Sequence, residues 1–501
     1  MRLWVNLFFI LASSASHVFA HDATTQDHFV NESVKIYKSI GCMSGTSADG
    51  VGIAYIETNG EGIVLRKSFM DFPYSKEETK IILSAKHKDR NSKEAKLAEQ
   101  IVTINHAKAI NELIEQHHLS AQDIDFIGFH GQTIWHRPEE HKTCQIGDAG
   151  LLAKLTGIPV IADFRTKDML FWGQGAPLVP LYHKALAKGL KKPTVFLNLG
   201  GVANITYIGS DRDEDLIACD TGPASALIDD WMRKKTGQRY DKDGHAAAAG
   251  QVDEVILAEL MRDEFFKRAP PKSLDRDAFS RALRLCYDKN LSLEDGAATL
   301  TAFTVKSVVS VLEHLPEAPK KWIVCGGGRH NKTIMAWLKK ELKSEVVLME
   351  TLRMNGDATE AEAFAYLAAR SFRNLPLSVP GTTGVLKECP GGLLYQPPES
   401  TDGPVEPRRE IVLTPVEQKE LAQLLRSKGI LVDGNGAIEN PKKIGAMTLT
   451  AVSGSFRGLS VAGSTTGFGL FARCKEKIRG GEISVGGLQS KSTAGNACSY
   501  I

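Results

Sequence analysis

Cysteine is scarce. The eight cysteines among 501 residues (positions 42, 144, 219, 286, 325, 389, 474 and 498) are too few and too scattered for a disulfide scaffold. No Cys-x-x-Cys pair occurs, which argues against a zinc ribbon or a redox dithiol. An excess of one charge is also lacking. Lys and Arg number 61 against 59 Asp and Glu, so no global field draws a polyanion, and no nucleic-acid partner is expected. No Gly-x4-Gly-Lys-Ser/Thr segment is present, which excludes a P-loop nucleotidase. The Gly-x-Ser-x-Gly elbow is missing too, so Ser44 is no hydrolase nucleophile. What remains is ordinary: 43% hydrophobic and 24% charged residues exclude a disordered chain, a collagen-like fibre and a coiled coil. The length implies two to four domains.

Residues 2–20 begin with one cation, continue through an apolar run and offer Val18-Phe-Ala20 as a cleavage site. That is the layout of a secretory signal peptide, and the run is too short for a membrane span. After a polar stretch the pattern alternates strand and helix, which argues for an α/β architecture. Residues 34–43 and 51–57 read as a hairpin around a Gly/Ser/Thr turn. Residues 76–118 read as helical. Short buried strands are expected at 126–129, 160–162, 194–199 and 217–219, and helices at 224–235, 252–267, 296–314 and 359–372. Residues 397–407 look like a linker. One echo stands out: strand, hydroxyl-rich turn, strand at 40–57, and strand, Gly200-Gly201 turn, strand at 195–208. Either a duplicated domain closes around a shared ligand, or these are two ordinary β-turns.

Several turns carry possible chemistry. Gly41-Cys-Met-Ser-Gly-Thr-Ser-Ala-Asp-Gly50 packs glycines and hydroxyls beside one acid: either its backbone N–H groups approach an anion and Asp49 can hold a metal ion that bridges phosphates, or it is just a turn. Asn198-Leu-Gly-Gly-Val-Ala-Asn204 and Cys325-Gly-Gly-Gly328 are further glycine turns that close strands and can face a nucleotide. Asp220 ends a strand before a turn and a helix; it is either a general base facing a cleft or a helix cap. His130-Gly-Gln-Thr-Ile-Trp-His136 offers groups suited to a sugar, whereas His136, His141 and Cys144 lack a fourth ligand at metal-site spacing. Arg165 and Asp168 suit a structural salt bridge as well as a substrate contact.

Together these residues resemble the anhydro-N-acetylmuramic acid kinase family, sugar kinases with an actin/hexokinase/Hsp70-like fold. The resemblance runs from about Tyr37 to Pro398. It includes Met43-Ser-Gly-Thr-Ser-Ala-Asp-Gly50, His130-Gly-Gln-Thr133, Ala162-Asp-Phe-Arg165, Gly173-Gln-Gly-Ala-Pro-Leu178, the 198–204 turn and Asp220-Thr-Gly-Pro223. It continues through Tyr240-Asp-Lys-Asp-Gly244, Pro271-Lys-Ser273, the 325–328 turn, Glu360-Ala-Glu-Ala-Phe-Ala365 and Gly392-Leu-Leu-Tyr395.

The resemblance implies an α/β, two-lobed, duplicated ribonuclease H-like fold. It implies an N-terminal extension over 1–34, kinase lobes over 35–190 and 191–398, and an extension over 399–501. Such enzymes bind ATP and Mg2+, open a 1,6-anhydro sugar with water at C1 and phosphorylate O6, giving N-acetylmuramic acid 6-phosphate. Asp220 matches the catalytic base. Nucleotide contacts fall on Gly45, Thr46, Ser47, Ala48, Asp49, Gly50, Val51 and Gly52, on Gly200 and Gly201, and on Gly326, Gly327 and Gly328, with Asp49 on the metal. Sugar contacts fall on Gln132, Thr133, Arg165 and Glu360. A homodimer is the assembly expected, if any.

One departure stands inside the loop: the family ends it Asp-Gly-x-Asp, whereas this chain reads Asp49-Gly-Val-Gly52. Loss of that acid weakens the ordering of metal or water. Levoglucosan kinases carry a similar motif set, and a non-catalytic sugar- or nucleotide-binding protein is the alternative of a different class. ATP-dependent recycling belongs in the cytoplasm, against the signal-like N-terminus. From Pro441 on, eight Lys or Arg face two Glu, the composition of a solvated appendage.

Overall fold

Two mixed sheets carry the chain, and both have the same strand order. The computed structural model describes residues 34–400 and 402–428, with two further short strands, Glu482–Val485 and Leu488–Lys491. The signal-like segment and most of the basic end lie outside the described residues. In chain order the strands of the sheets are β1 (Tyr37–Ser44), β2 (Gly50–Thr58), β3 (Val64–Pro73), β4 (Phe126–Arg137), β5 (Lys142–Ile146), β6 (Val160–Ala162), β7 (Thr194–Leu199), β8 (Val202–Ile208), β9 (Leu216–Pro223), β10 (Lys321–Cys325), β11 (Glu345–Leu348) and β12 (Leu393–Tyr395).

The first sheet runs β12-β6-β4-β1-β2-β3, with β5 paired to β4; the second runs β11-β10-β7-β8-β9. In each, three antiparallel strands joined by short turns lead into parallel strands reached by helical crossovers. The echo between residues 40–57 and 195–208 is therefore a repeat of topology. The fold is the duplicated actin/hexokinase/Hsp70-like one.

Two helices lie between the sheets. Pro180–Leu186 and Thr359–Phe372 contribute Leu181, Tyr182, Ala363, Ala365 and Tyr366 to a core shared with Ile56, Phe196 and Ile323. The second of these helices comes unusually close to the first sheet. Gly41 and Gly128 are register partners across β1 and β4, and a Cβ on either would run into the backbone carbonyl of Ala361 or Phe364. Ser39 Oγ, two residues earlier, donates to Ala365 O at 2.9 Å. Alanines at 361, 363, 365, 368 and 369 leave room for this approach.

A boundary at 190/191 falls between the sheets, yet residues 359–395 cross back: their helix covers β1 and β4, and β12 completes the first sheet beside β6. The described residues just after Pro398 also pack on the fold. Lys154 Nζ donates to Gly403 O at 2.9 Å, and Arg409 N to the Tyr395 hydroxyl at 3.1 Å. Helix Pro415–Ser427 buries Leu421 and Leu425, and Glu417 pairs with Lys167 at 2.7 Å.

Elsewhere the expected elements shift in instructive ways. Residues 76–118 hold two helices, Lys76–Ser84 and Lys93–Gln116, because His87 turns left-handed (φ 61°) and its N–H donates to Ile134 O at 3.0 Å. Residues 252–267 likewise divide into Glu254–Met261 and Glu264–Lys267. Among the described residues no helix is long and apolar enough to cross a membrane.

Candidate active site

The turn between β1 and β2 is held from below. Ser44 Oγ donates to Gln132 Oε1 at 2.5 Å, Gln132 Nε2 donates to Gly45 O at 3.0 Å, and the Tyr74 hydroxyl reaches Ser44 Oγ at 3.2 Å. Tyr74 N donates to Asp49 O at 3.0 Å, and Thr79 Oγ1 to Ala48 O at 2.9 Å, so the start of helix Lys76–Ser84 anchors the far side. The loop residues divide by direction. Ala48 and Val51 bury their side chains in the core, while Thr46, Ser47 and Asp49 are exposed. Ala48 and Val51 therefore have only backbone to offer a phosphate.

The second sheet supplies two turns that touch. Gly200 O and Gly201 O accept the N–H groups of Ser225 (2.9 Å) and Ala224 (3.0 Å), seating helix Ser225–Thr236 on this turn. Gly326 and Gly328 press against Asn198 and Leu199, where a Cβ on Gly328 would lie 2.8 Å from Leu199 Cβ. Gly327 faces open space. Arg329, next in the chain, is buried; its guanidinium forks onto Asp357 (2.9 Å twice) and reaches Glu350 (2.9 Å). Asp357 lies two residues before helix Thr359–Phe372, so this cluster joins the 325–328 turn to the helix start.

Asp220 stands on β9 opposite Asn204. Its Oδ2 accepts the N–H of Leu274 at 2.6 Å, and its own N–H goes to Lys272 O at 2.9 Å. Helix Ser225–Thr236 has Ala224 at its N-cap with no side-chain cap, so Asp220 is not the cap of that helix. Packing around the carboxyl raises its pKa from 3.8 to about 7, against the opposing pull of the Leu274 N–H.

The four expected sugar residues differ in freedom. Gln132 is buried and spends its amide on Ser44 and Gly45. Thr133 Oγ1 accepts from Gln145 Nε2 at 3.2 Å. Arg165 places Nε and one terminal nitrogen on His130 Nε2 (3.0 and 2.9 Å) and the other on Gly175 O (2.6 Å). Desolvation lowers the Arg165 pKa to about 10, with Glu360 and Asp168 opposing. Desolvation raises Glu360, opposed by Arg165. His130 is held well below its ordinary range by burial and then by the Arg165 charge, so it is the neutral acceptor for Arg165. Asp168 is committed to structure, accepting from Gly175 N at 2.6 Å and Thr383 Oγ1 at 2.5 Å.

A cavity of about 440 Å3 opens beside the first turn, among Met43, Ser47, Asp49, Gly52, Asp71 and Glu360. A second, of about 230 Å3, lies against His130 and Arg165 and is lined from the later segment by Arg408 and Arg409. His130, Tyr74, Asp71 and Asp357 join the site without having been singled out from sequence as site residues; His130 at least lies within the His-Gly-Gln-Thr motif.

Among the described residues no three His, Cys, Asp or Glu converge to hold a metal ion. His136 instead bonds Thr143 Oγ1 at 3.0 Å, His141 faces Gly173 O at 3.4 Å and Cys144 takes an Arg90 contact at 3.7 Å. A nucleotide-borne Mg2+ needs only one or two carboxylates besides phosphates and water. An exposed Asp49 beside the glycine turn fits that need.

The family model described as anhydro-N-acetylmuramic acid kinase matches residues 37–397. A protein of that name from Zymomonas mobilis subsp. mobilis is 48% identical over 366 residues, covering 71% of this chain and 99% of that protein. Another from Rhizorhabdus wittichii is 45% identical over 365 residues, covering 72% and 99%. Solved structures that align include an inorganic polyphosphate/ATP-glucomannokinase from Arthrobacter sp. strain KM (14% identity, TM-score 0.32, 67% of this chain and 99% of that one). A ROK family glucokinase from Streptomyces griseus, in complex with glucose and AMPPNP, aligns at 13% identity and TM-score 0.29, over 66% of this chain and 98% of that one.

Proposed function

Because the chain belongs to the anhydro-N-acetylmuramic acid kinase family and acts as an ATP-dependent sugar kinase of cell-wall recycling, we propose that Asp220 is its catalytic base. We propose as its substrate 1,6-anhydro-N-acetylmuramic acid. The observation that carries the assignment is the Asp220 carboxyl group: it is desolvated, has a pKa of about 7, is not a helix cap, and sits on the strand beside the Gly200-Gly201 turn. A base is most useful when its pKa lies near the working pH.

In this reading Asp220 takes a proton from water as the water oxygen bonds to C1. The C1–O6 bond breaks, O6 bonds to the γ-phosphorus, and the bridging oxygen leaves with ADP. Backbone N–H groups of the 45–52 and 200–201 turns position the phosphates, the 326–328 turn takes the adenosine end, and Asp49 would hold Mg2+. When bound, the metal offsets phosphate charge. Arg165, fixed by neutral His130, and Glu360 orient the sugar, while Gln132 acts mainly by holding the phosphate turn in place. Thr133 lies beside them on β4. We place this chemistry in the cytoplasm, where ATP is supplied; a native N-terminus beginning at His21 or Asp22 would overturn that placement.

The test is ATP consumption with anhydro-N-acetylmuramic acid, with levoglucosan and without sugar. Turnover is expected with the first. Preference for levoglucosan would replace the substrate, and no sugar-dependent turnover would leave a binding protein.

A further inference from the structure

Three residues from adjacent strands form one row across the floor of the 440 Å3 cavity: Met43 on β1 pairs with Gly52 on β2, and Gly52 pairs with Asp71 on β3. The middle of the row has no side chain. Gly52 is not there for backbone freedom, since its φ lies outside the left-handed region, nor for a close approach. A Cβ built on it would meet Phe69 Cε2 at 3.6 Å, Asp71 Oδ1 at 3.8 Å and Phe69 Cζ at 4.0 Å, which are ordinary contacts. The edge of the Phe69 ring and the Asp71 carboxylate, both carried by the edge strand, lie over the position Gly52 leaves open. Among the described residues no hydrogen bond or ion pair holds that carboxylate; desolvation and then the Asp357 charge push its pKa up. Asp357 is already neutralised by Arg329. The Asp71 side chain is exposed and faces the same cavity as Asp49.

We propose that Asp71 is a positioning residue of the nucleotide site, accepting hydrogen bonds from water bound to the phosphate-borne Mg2+ and supplying from β3 the carboxylate that position 52 lacks. This rests on the kinase reading above. Three points support the assignment. Mg2+ retains several of its waters in nucleotide sites, so it uses acceptors one shell away from the ion. The register places Asp71 and position 52 side by side on one face of the sheet, so a carboxylate from either strand enters the same volume. Asp71 is exposed and lines the cavity together with Asp49, so its carboxylate is open to a hydrated ion.

The experiment measures binding of AMPPNP by calorimetry, in excess Mg2+ and in EDTA, to wild type, Asp71→Asn, and the double variant Asp71→Asn with Gly52→Asp. Wild type is expected to bind more tightly with Mg2+. Asp71→Asn should lose most of that gain, about 10–100-fold as for other outer-shell partners of a metal, with its EDTA affinity unchanged. The double variant should regain it, because a carboxylate returns to the same volume from the other strand. A structural role for Asp71 would not be rescued from β2. Undiminished Mg2+ dependence in Asp71→Asn, or no recovery in a double variant that melts like wild type, would overturn the proposal. The readout needs no sugar and no turnover. Absence of sugar-dependent ATP consumption would defeat the kinase reading while leaving this result standing, and failure of the rescue would leave the kinase reading standing.

Discussion

Asp220 Oδ2 accepts the backbone N–H of Leu274 at 2.6 Å, and this is the hydrogen bond that holds its carboxylate. One bond does not compensate the desolvation, so the acid is raised to about pH 7. Replacing Asp220 with Asn keeps the acceptor for Leu274 and removes the base. Turnover should fall about 10²–10⁴-fold with little change in ATP affinity.

The same substitution should make the protein more stable. A carboxyl whose folded pKa lies above its unfolded value binds more protons in the native state. Stability from this group is therefore lost as pH rises from about 4 towards 7. Asn carries no such charge. Above pH 7 the variant should gain stability, with ~4 kcal/mol as the upper bound for a three-unit shift, and the gain should vanish near pH 4. Wild-type turnover should rise with pH through about 7. Melting temperature and rate measured on one preparation across pH check all three; a less stable variant with normal turnover would remove Asp220 from the mechanism.

Asp49→Asn should impair use of Mg–ATP far more than sugar binding. Asp49 is exposed, and it is its backbone carbonyl that accepts the N–H of Tyr74 in the loop, so the turn should keep its shape. Nucleotide affinity in Mg2+ and sugar affinity by calorimetry separate the two effects. Unchanged nucleotide affinity and turnover would show the loop assignment to be wrong.

Gly41→Ala should cost about 1–3 kcal/mol through overpacking, because its Cβ would meet the backbone of Ala361 and Ala365 rather than a movable side chain. The helix displaced is the one that carries Glu360, so sugar KM should rise as well. Gly52→Ala, where the new Cβ finds ordinary contacts, serves as the stability control and should melt within about 0.5 kcal/mol of wild type.

Arg329→Ala should loosen the 325–328 turn from the start of helix Thr359–Phe372. It removes a buried guanidinium from Asp357 and Glu350, whose carboxylates stay half in solvent, which limits the loss to about 1–3 kcal/mol. Nucleotide affinity should fall more than sugar affinity. Arg329→Lys should not restore it, since an ammonium cannot reproduce the fork on Asp357.

Much of the fold was legible in local pattern. Strands 160–162 and 194–199 and helix 359–372 occur at the bounds their apolar patterns indicate. β3 went unread because it is an edge strand whose Arg66-Lys67-Ser68 interrupts the apolar alternation, as charged edge strands do. The break at 85–92 was hidden because a tertiary bond from His87 to Ile134, together with the Trp135 indole on Lys88 O at 3.0 Å, holds the left-handed turn. Helix Pro415–Ser427 starts with a capping box from Thr414 to Glu417, a local signal that the Gly/Pro-rich surroundings obscured.

By itself the sequence carried the family resemblance that implies the reaction class, because the motifs that make up that resemblance are runs of consecutive residues. It also determined which residues the glycine turns contain. Only the tertiary structure decided what each one does with its freedom. It buries Ala48 and Val51, commits Gln132 to the turn, neutralises His130 beside Arg165 and raises Asp220 to about pH 7. It also brings Asp71 over Gly52 from a strand that the local pattern does not reveal. The physical reason is range. Periodicity and turn chemistry act over a few residues, whereas desolvation, register across strands and the approach of a helix to Gly41 and Gly128 depend on partners far away in the chain.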